Sequence, residues 1–123
     1  MGKVIILLTL ALAVAFAPSA PAKSGPGVLR QGQCTGGGTW KLKAKRDEAR
    51  IEVEFEVDQN VVGQRWNVAL RRNRTTVFRG VRVTRAPSGS FSVTRRIADR
   101  PGRDRIVATA VRAGRTCRGA VSL

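Results

Sequence analysis

The sequence predicts an all-β protein, an antiparallel β-sandwich of about seven strands. Apolar and polar residues alternate from Thr39 onward, which is the period of a strand that buries one face. Clusters of Gly, Pro, Asn and Asp interrupt this alternation at intervals of roughly eight to twelve residues, the spacing of sandwich strands. Beyond the N-terminal apolar run, no segment carries the period of an amphipathic helix.

The N-terminal segment has the composition of a secretory signal peptide. Lys3 precedes the apolar run of residues 4–16, which is too short to cross a bilayer comfortably, and Ala20 and Ala22 supply a small-residue cleavage pattern. We expect cleavage after Ala22, so that residues 1–22 are the signal peptide and the mature chain is secreted, extracellular or associated with the cell wall. The alternative is an uncleaved membrane anchor, which the length of the run disfavours. The mature chain is expected to have no transmembrane segment.

Cys34 and Cys117 are the two cysteines of the chain and lie near opposite ends of the mature region. Because export places them where disulfides persist, we predict that they form a disulfide. A zinc site needs about four Cys, His or carboxylate ligands, and the chain has no histidine, so no metal and no cofactor is expected. Histidine and tyrosine are absent and the cysteines are predicted to be oxidised, so the sequence favours a protein that is not an enzyme.

Residues 39–46 and 50–58 are predicted to form an antiparallel hairpin. When opposite residue numbers add up to 97, lysines face glutamates on one side of the hairpin and apolar residues face each other on the other side. A slip by one residue would destroy both matches, so the sequence specifies this register. The predicted pairs are Lys41–Glu56, Lys43–Glu54, Lys45–Glu52, Trp40–Val57, Leu42–Phe55 and Ala44–Val53.

The remaining alternation of apolar and polar residues predicts five further strands. In the strand predicted for residues 75–84, Phe78, Val81 and Val83 are expected on the inward side, with Gly80 marking a bulge that restores their alternation. The predicted strands span residues 65–72, 75–84, 90–97, 104–112 and 116–123.

The segment before the first predicted strand is punctuated by Gly and Pro and has no periodicity. Residues 23–38 are therefore predicted to be a flexible N-terminal segment, with a turn at the glycines after Cys34. The β-sandwich domain is then expected to span residues 39–123.

With Trp66 on its third strand, this pattern resembles the immunoglobulin-like Greek-key sandwich. The resemblance implies that the first, second and fifth predicted strands share one sheet. The chain departs from antibody-type domains, because its cysteines flank the first strand and lie in the last one, and because it has no tyrosine for the tyrosine corner. We therefore retain the fold class and expect no membership of an antibody-like subfamily.

Three segments of the mature domain carry a further resemblance, namely TWKLKAKRDEARIEVEFEVDQNVVGQRW, RAPSGSF and GRDRIVA. They resemble a group of small secreted proteins of high-GC Gram-positive bacteria. The resemblance implies secretion and supplies no site residues.

Charge is distributed unevenly along the chain. Six of the eight acidic residues lie between Asp47 and Asp58, whereas residues 59–123 hold fifteen arginines, two aspartates and no lysine. GC-rich coding favours arginine over lysine but does not account for the shortage of acids, so the alternatives are a binding surface and a solvated basic face without a partner. The paired lysines and glutamates leave one sheet nearly neutral, so the candidate binding face is the outer face of the other sheet. Its predicted residues are Arg71, Arg79, Arg82 and Arg118 beside the strip Val107, Thr109 and Val111, with Arg72 and Arg74 at a hairpin tip.

This charge pattern favours a secreted, non-catalytic binding module. The partners that fit it are an anionic wall polymer, an anionic lipid surface or nucleic acid, each bound through non-specific electrostatics. Stacking on single-stranded bases is disfavoured because the aromatic residues have inward parity. One alternative is a protein-binding or inhibitory module for an acidic extracellular partner. Another is a carrier that holds a small apolar ligand in a cleft, but no feature of the sequence indicates such a cleft.

Overall fold

A computed structural model describes residues 26–123 together with Gly2 and Ala13. Apart from those two residues, the predicted signal peptide at residues 1–22 lies outside the described residues. The described chain is built of strands, and no helix in it is long and apolar enough to cross a membrane. The strands are β1 (Val28–Gln33), β2 (Thr39–Asp47), β3 (Arg50–Asp58), β4 (Arg65–Arg72), β5 (Thr75–Val83), β6 (Ser90–Ala98), β7 (Arg105–Arg112) and β8 (Arg115–Ser122).

The eight strands form two antiparallel sheets that pack face to face. The first sheet has the order β1-β2-β3-β6 and the second sheet has the order β5-β4-β7-β8. The pairing of β3 with β6 and of β4 with β7 makes the chain cross between the sheets, which is the Greek-key path of immunoglobulin-like sandwiches. The predicted fold class is confirmed, with one strand more than expected.

The predicted register of the β2–β3 hairpin is confirmed in full. Lys43 lies opposite Glu54, and Leu42 lies opposite Phe55. The hairpin closes through Glu48, whose φ of 56° is the left-handed conformation that two-residue hairpin turns require. The centre of the inner side is fully buried, because Leu42, Ala44 and Phe55 have no exposed surface, and Trp40 at its end is partly buried.

The predicted flexible N-terminal segment is wrong for its central part, because residues 28–33 form the edge strand β1. This strand pairs with β2, and its Gly32 lies opposite Trp40. A Cβ atom at Gly32 would lie 2.8 Å from the Trp40 indole, and a Cβ at Gly119 of β8 would lie 2.4 Å from it. The indole is therefore held between glycines of the two sheets. The alternation of apolar and polar residues could not reveal β1, because this strand docks through glycines, which have no side chain.

The predicted bulge at Gly80 is also wrong. The β4–β5 register shifts between Leu70 and Arg71, which leaves Val77 as the extra residue. Gly80 keeps the regular alternation and faces inward, where a Cβ would lie 2.9 Å from Cζ of the Phe78 ring. The missing side chain thus makes room for that ring. As a consequence, Val81 and the residues after it have the opposite parity from the prediction.

The predicted disulfide between Cys34 and Cys117 is confirmed, with a Cα–Cα distance of 4.3 Å. It joins the end of β1 in the first sheet to β8 in the second. Beside it, the buried Gln59 side chain donates a 3.1 Å hydrogen bond to the Gly37 carbonyl and so fixes the glycine turn after Cys34. The disulfide closes the same flank of the sandwich as the Trp40 indole.

Candidate functional site

The candidate site is the outer face of the second sheet, which we call the arginine face. The inward positions of β4 are Trp66, Val68 and Leu70, each no more than 1% exposed, so the residues between them point to solvent. The same alternation orients β5, β7 and β8. The arginine face consists of Arg65, Arg71, Arg79, Arg105 and Arg118 around Asn67, Ala69, Val81, Val107, Thr109 and Val111.

Register places two of these arginines at opposite edges of one row. Arg79 lies opposite Ala69, Ala69 lies opposite Thr109, and Thr109 lies opposite Arg118. Because neighbouring strands are about 4.8 Å apart, the Cα atoms of the two arginines are separated by about 14 Å. The short side chains between them leave a low floor flanked by two guanidinium groups.

Next to this row the floor is apolar. Val81 is 36% exposed and Val111 is 42% exposed, and register aligns both with Asn67 between them. Together with Ala69 and Thr109 they line a shallow depression of about 390 Å³. An apolar floor with a cationic rim excludes water from contacts made at its edge and strengthens the electrostatic interactions there.

The arginine face carries uncompensated positive charge. Among the described residues, the ion pairs involve only Arg46 and Arg96, and both belong to the first sheet. No acidic residue occupies an outward position of β4, β5, β7 or β8. Arg71 donates a 3.1 Å hydrogen bond to the Arg74 carbonyl, which orders its guanidinium without neutralising it. The guanidinium groups are therefore free for an external anion.

The outer face of the first sheet has the opposite character. The lysines of β2 face the glutamates of β3 across the hairpin, and Arg96 of β6 donates a 2.9 Å hydrogen bond to Asp47. On this face only Arg96 and Asp47 are within ion-pair distance, and an exposed pair of this kind stabilises the fold by less than about 1 kcal/mol. The lysines and glutamates act through their alternating opposite charges, which cancel the field of this face beyond about 10 Å, the Debye length at moderate salt. The two faces of the sandwich thus differ in charge.

Most of the predicted site residues lie together on the arginine face. They are Arg71, Arg79, Arg118, Val107, Thr109 and Val111.

Two predicted positions differ. Arg82 lies opposite the buried Trp66, at inward parity, because the bulge is not at Gly80. Arg72 is not at an exposed hairpin tip: it is 7% exposed, and its guanidinium donates a hydrogen bond to the Ala98 carbonyl.

Two arginines of this face escaped the sequence prediction. Arg65 directly precedes the inward Trp66, and Arg105 directly precedes the inward Ile106. Strict alternation from these two buried residues would have identified both. They extend the face toward the ends of β4 and β7.

A cluster of charged side chains lies at one end of the sandwich, away from the arginine face. Arg46 donates a 3.1 Å hydrogen bond to Asp99, and one of its Nη atoms lies 3.7 Å from Asp104. Burial raises the pKa of Asp104, the neighbouring Asp99 carboxylate raises it further, and Arg72 and Arg46 oppose both effects. The backbone of Asp104 also pairs with Leu123. This cluster ties strand ends together.

The chain matches no family model, no curated protein and no solved structure. Within the described part of the chain, no group of three or more His, Cys, Asp or Glu side chains is placed to hold a metal ion. The geometry and charge of the described surface are therefore the basis for assigning a function.

Proposed function

We propose that this protein is a secreted, non-catalytic binding module whose arginine face contacts a phosphate-bearing anionic polymer of the cell envelope. The observation that carries the proposal is the contrast between the two faces. Five exposed arginines without carboxylate partners surround a low floor on the second sheet, while the first sheet is neutralised by its own pairs. A polyanion would supply the counter-charge that the fold itself does not.

Guanidinium groups suit this role because their planar fork donates two hydrogen bonds to one phosphate. The arginines stand on strands of a sheet, so the backbone that carries them does not have to be ordered when they bind. Arg79 and Arg118, about 14 Å apart, can engage phosphates that are several units apart on an extended chain. Recognition of bases by stacking has no support, since Phe55, Trp66 and Phe91 are buried in the core. Binding would therefore depend on phosphate charge and spacing.

The test compares two double variants with the same change in net charge. Arg79→Gln/Arg118→Gln removes two charges from the arginine face, and Lys41→Gln/Lys43→Gln removes two from the neutralised face. Affinity for a poly(glycerol phosphate) chain is measured at several salt concentrations. We expect the arginine variant to bind more weakly and to lower the salt slope by roughly one unit for each phosphate that it no longer engages. The lysine variant is expected to bind almost like the wild type.

Equal losses in the two variants would show that net charge alone governs binding and that the arginine face has no special role. Absence of binding at low salt would reject the proposal outright. Vesicles of anionic lipid and a nucleic-acid duplex serve as competitors, and stronger binding to either would redirect the proposal to that polyanion.

The apolar depression favours a second candidate, an acidic protein partner that docks on the same face. Apolar contacts persist at high salt, whereas phosphate contacts weaken steeply. Val81→Thr/Val111→Thr keeps the shape and strand propensity of these side chains while making the floor polar. A protein partner would lose affinity in this variant and would retain part of its wild-type affinity in high salt. A polyanion would bind the variant as it binds the wild type.

A further inference from the structure

A notch lies at the flank of the sandwich where β5 and β6 separate. The backbones of Arg85 and Ser90 pair with each other, with a 2.9 Å hydrogen bond from the Arg85 amide to the Ser90 carbonyl. Beyond this bridge, β5 continues into the second sheet and β6 into the first. The opening between them has a volume of about 540 Å³. Its lining residues are Val81, Arg82, Val83, Arg85, Ser90, Phe91 and Ser92.

Two arginines next to this notch occupy positions that normally belong to the core. Arg82 lies opposite the buried Trp66, and Arg95 lies opposite the buried Val53. Both are on edge strands, so their side chains can reach the rim. Their guanidinium carbons lie 5.0 Å and 4.5 Å from the centroid of the same Phe78 ring. Cation–π contact holds each guanidinium in place.

The notch is positive and lacks an acid of its own. None of the ion pairs among the described residues includes Arg82, Arg85 or Arg95. Two guanidinium groups that share one ring repel each other, and a bound anion would relieve that repulsion. Arg82 is further fixed by a 2.9 Å hydrogen bond from its Nη1 to the Val81 carbonyl. The Arg82 guanidinium is therefore oriented in advance.

The nearest acids by register belong to β3 and have other partners. Glu56 lies opposite Ser92 but also faces Lys41 on its other side. Asp58 lies opposite Ser90 and accepts a 2.9 Å hydrogen bond from the Asn60 amide. These carboxylates stand on the outer face of the first sheet. Neither of them forms an ion pair with Arg82 or Arg85.

We propose that the β5–β6 notch binds a tetrahedral oxyanion, that is, a phosphate or sulfate group carried as a monoester or as the free ion. Arg82 and Arg85 supply the guanidinium donors. Arg95 acts as a positioning residue through Phe78. The notch lies on the flank of the sandwich and shares only Val81 with the arginine face, so its arginines are distinct from those that would contact a polymer there.

The experiment titrates the protein with inorganic phosphate and, separately, with sulfate, against sodium chloride at matched ionic strength. We expect saturable backbone amide shifts at residues 82–85 and 90–92 with the oxyanions only. Arg85→Gln, at an exposed position, is expected to weaken phosphate binding about tenfold, which corresponds to the removal of one charge-assisted hydrogen bond. Arg82→Gln/Arg85→Gln should weaken it further.

The matched control is Arg79→Gln/Arg118→Gln, which removes two charges from the arginine face and should leave phosphate affinity at the notch unchanged. Equal weakening in both double variants, or equal shifts with chloride, would overturn the proposal. Preference for sulfate or phosphate identifies the ester class. Because Arg85→Gln leaves the arginine face intact, its poly(glycerol phosphate) affinity reports separately on the function proposed above.

Discussion

Opening the Cys34–Cys117 disulfide is expected to remove at least about a third of the stability of the domain. The bridge spans 83 residues and so encloses almost all of the strands. In the chain-entropy model, a loop of this length stabilises the folded state by about 4.5 kcal/mol, because the crosslink removes that much freedom from the unfolded chain. A domain of this size has a total stability of about 5–15 kcal/mol.

The clean comparison is between the oxidised and the reduced wild-type protein, since it changes no side-chain volume. Urea unfolding should show the reduced form losing about 4 kcal/mol, which lowers the midpoint by roughly 2–4 M. The slope with urea should rise on reduction, because the unfolded chain becomes less compact. Cys34→Ala/Cys117→Ala should lose slightly more than this, since Cys117 has no exposed surface and its replacement leaves a small cavity.

A loss below about 1 kcal/mol on reduction would refute this reasoning. It would mean that the unfolded chain already keeps β1 and β8 together, or that native contacts weaken when the bridge is formed. Amide exchange separates these outcomes. Selective loss of protection in β1 after reduction would show that the disulfide holds this one strand and not the whole domain.

Two further predictions concern the ends and the flank of the sandwich. Folding raises the pKa of Asp104 above 3.8, so the folded state binds more protons than the unfolded state near that pH. The free energy of unfolding therefore falls as the pH rises from about 3.8 through the folded pKa. Asp104→Asn should remove this fall, and parallel curves of unfolding free energy against pH for wild type and variant would contradict it. Gly119→Ala places a Cβ 2.4 Å from the Trp40 ring and should destabilise the fold by about 2 kcal/mol with a red shift of tryptophan emission. The same change in a Trp40→Leu background should cost much less, and an equal cost there would show that the clash is elsewhere.

The β2–β3 hairpin could be predicted because two independent patterns agreed on one register. Lysines opposite glutamates and apolar residues opposite each other can be satisfied together only when opposite numbers add up to 97. The disulfide was predictable as well, since the chain offers one possible pair of cysteines. Local alternation and cysteine count were sufficient for these features.

The features that escaped prediction depend on side chains that are absent or on distant partners. β1 docks because Gly32 and Gly119 leave space for one indole, and alternation carries no trace of such a gap. Arg82 was placed on the wrong side because the extra residue of β5 is Val77 and not Gly80. Arg72 is buried because the Ala98 carbonyl accepts its hydrogen bond, an interaction made across 26 residues. Each of these is set by tertiary packing.

The adjacency of β1 and β8 determines when the fold can be completed. Synthesis proceeds from the N-terminus, so the Cys34 thiol is exposed while the next 83 residues, up to Cys117, are still being made. At about 5–20 residues per second, this interval lasts on the order of 5–15 seconds. During that time, the Cys34 thiolate can attack a foreign disulfide, which forms a mixed disulfide and releases the other sulfur as a thiolate. The native pair can therefore be oxidised only after Cys117, in the last strand, has been made.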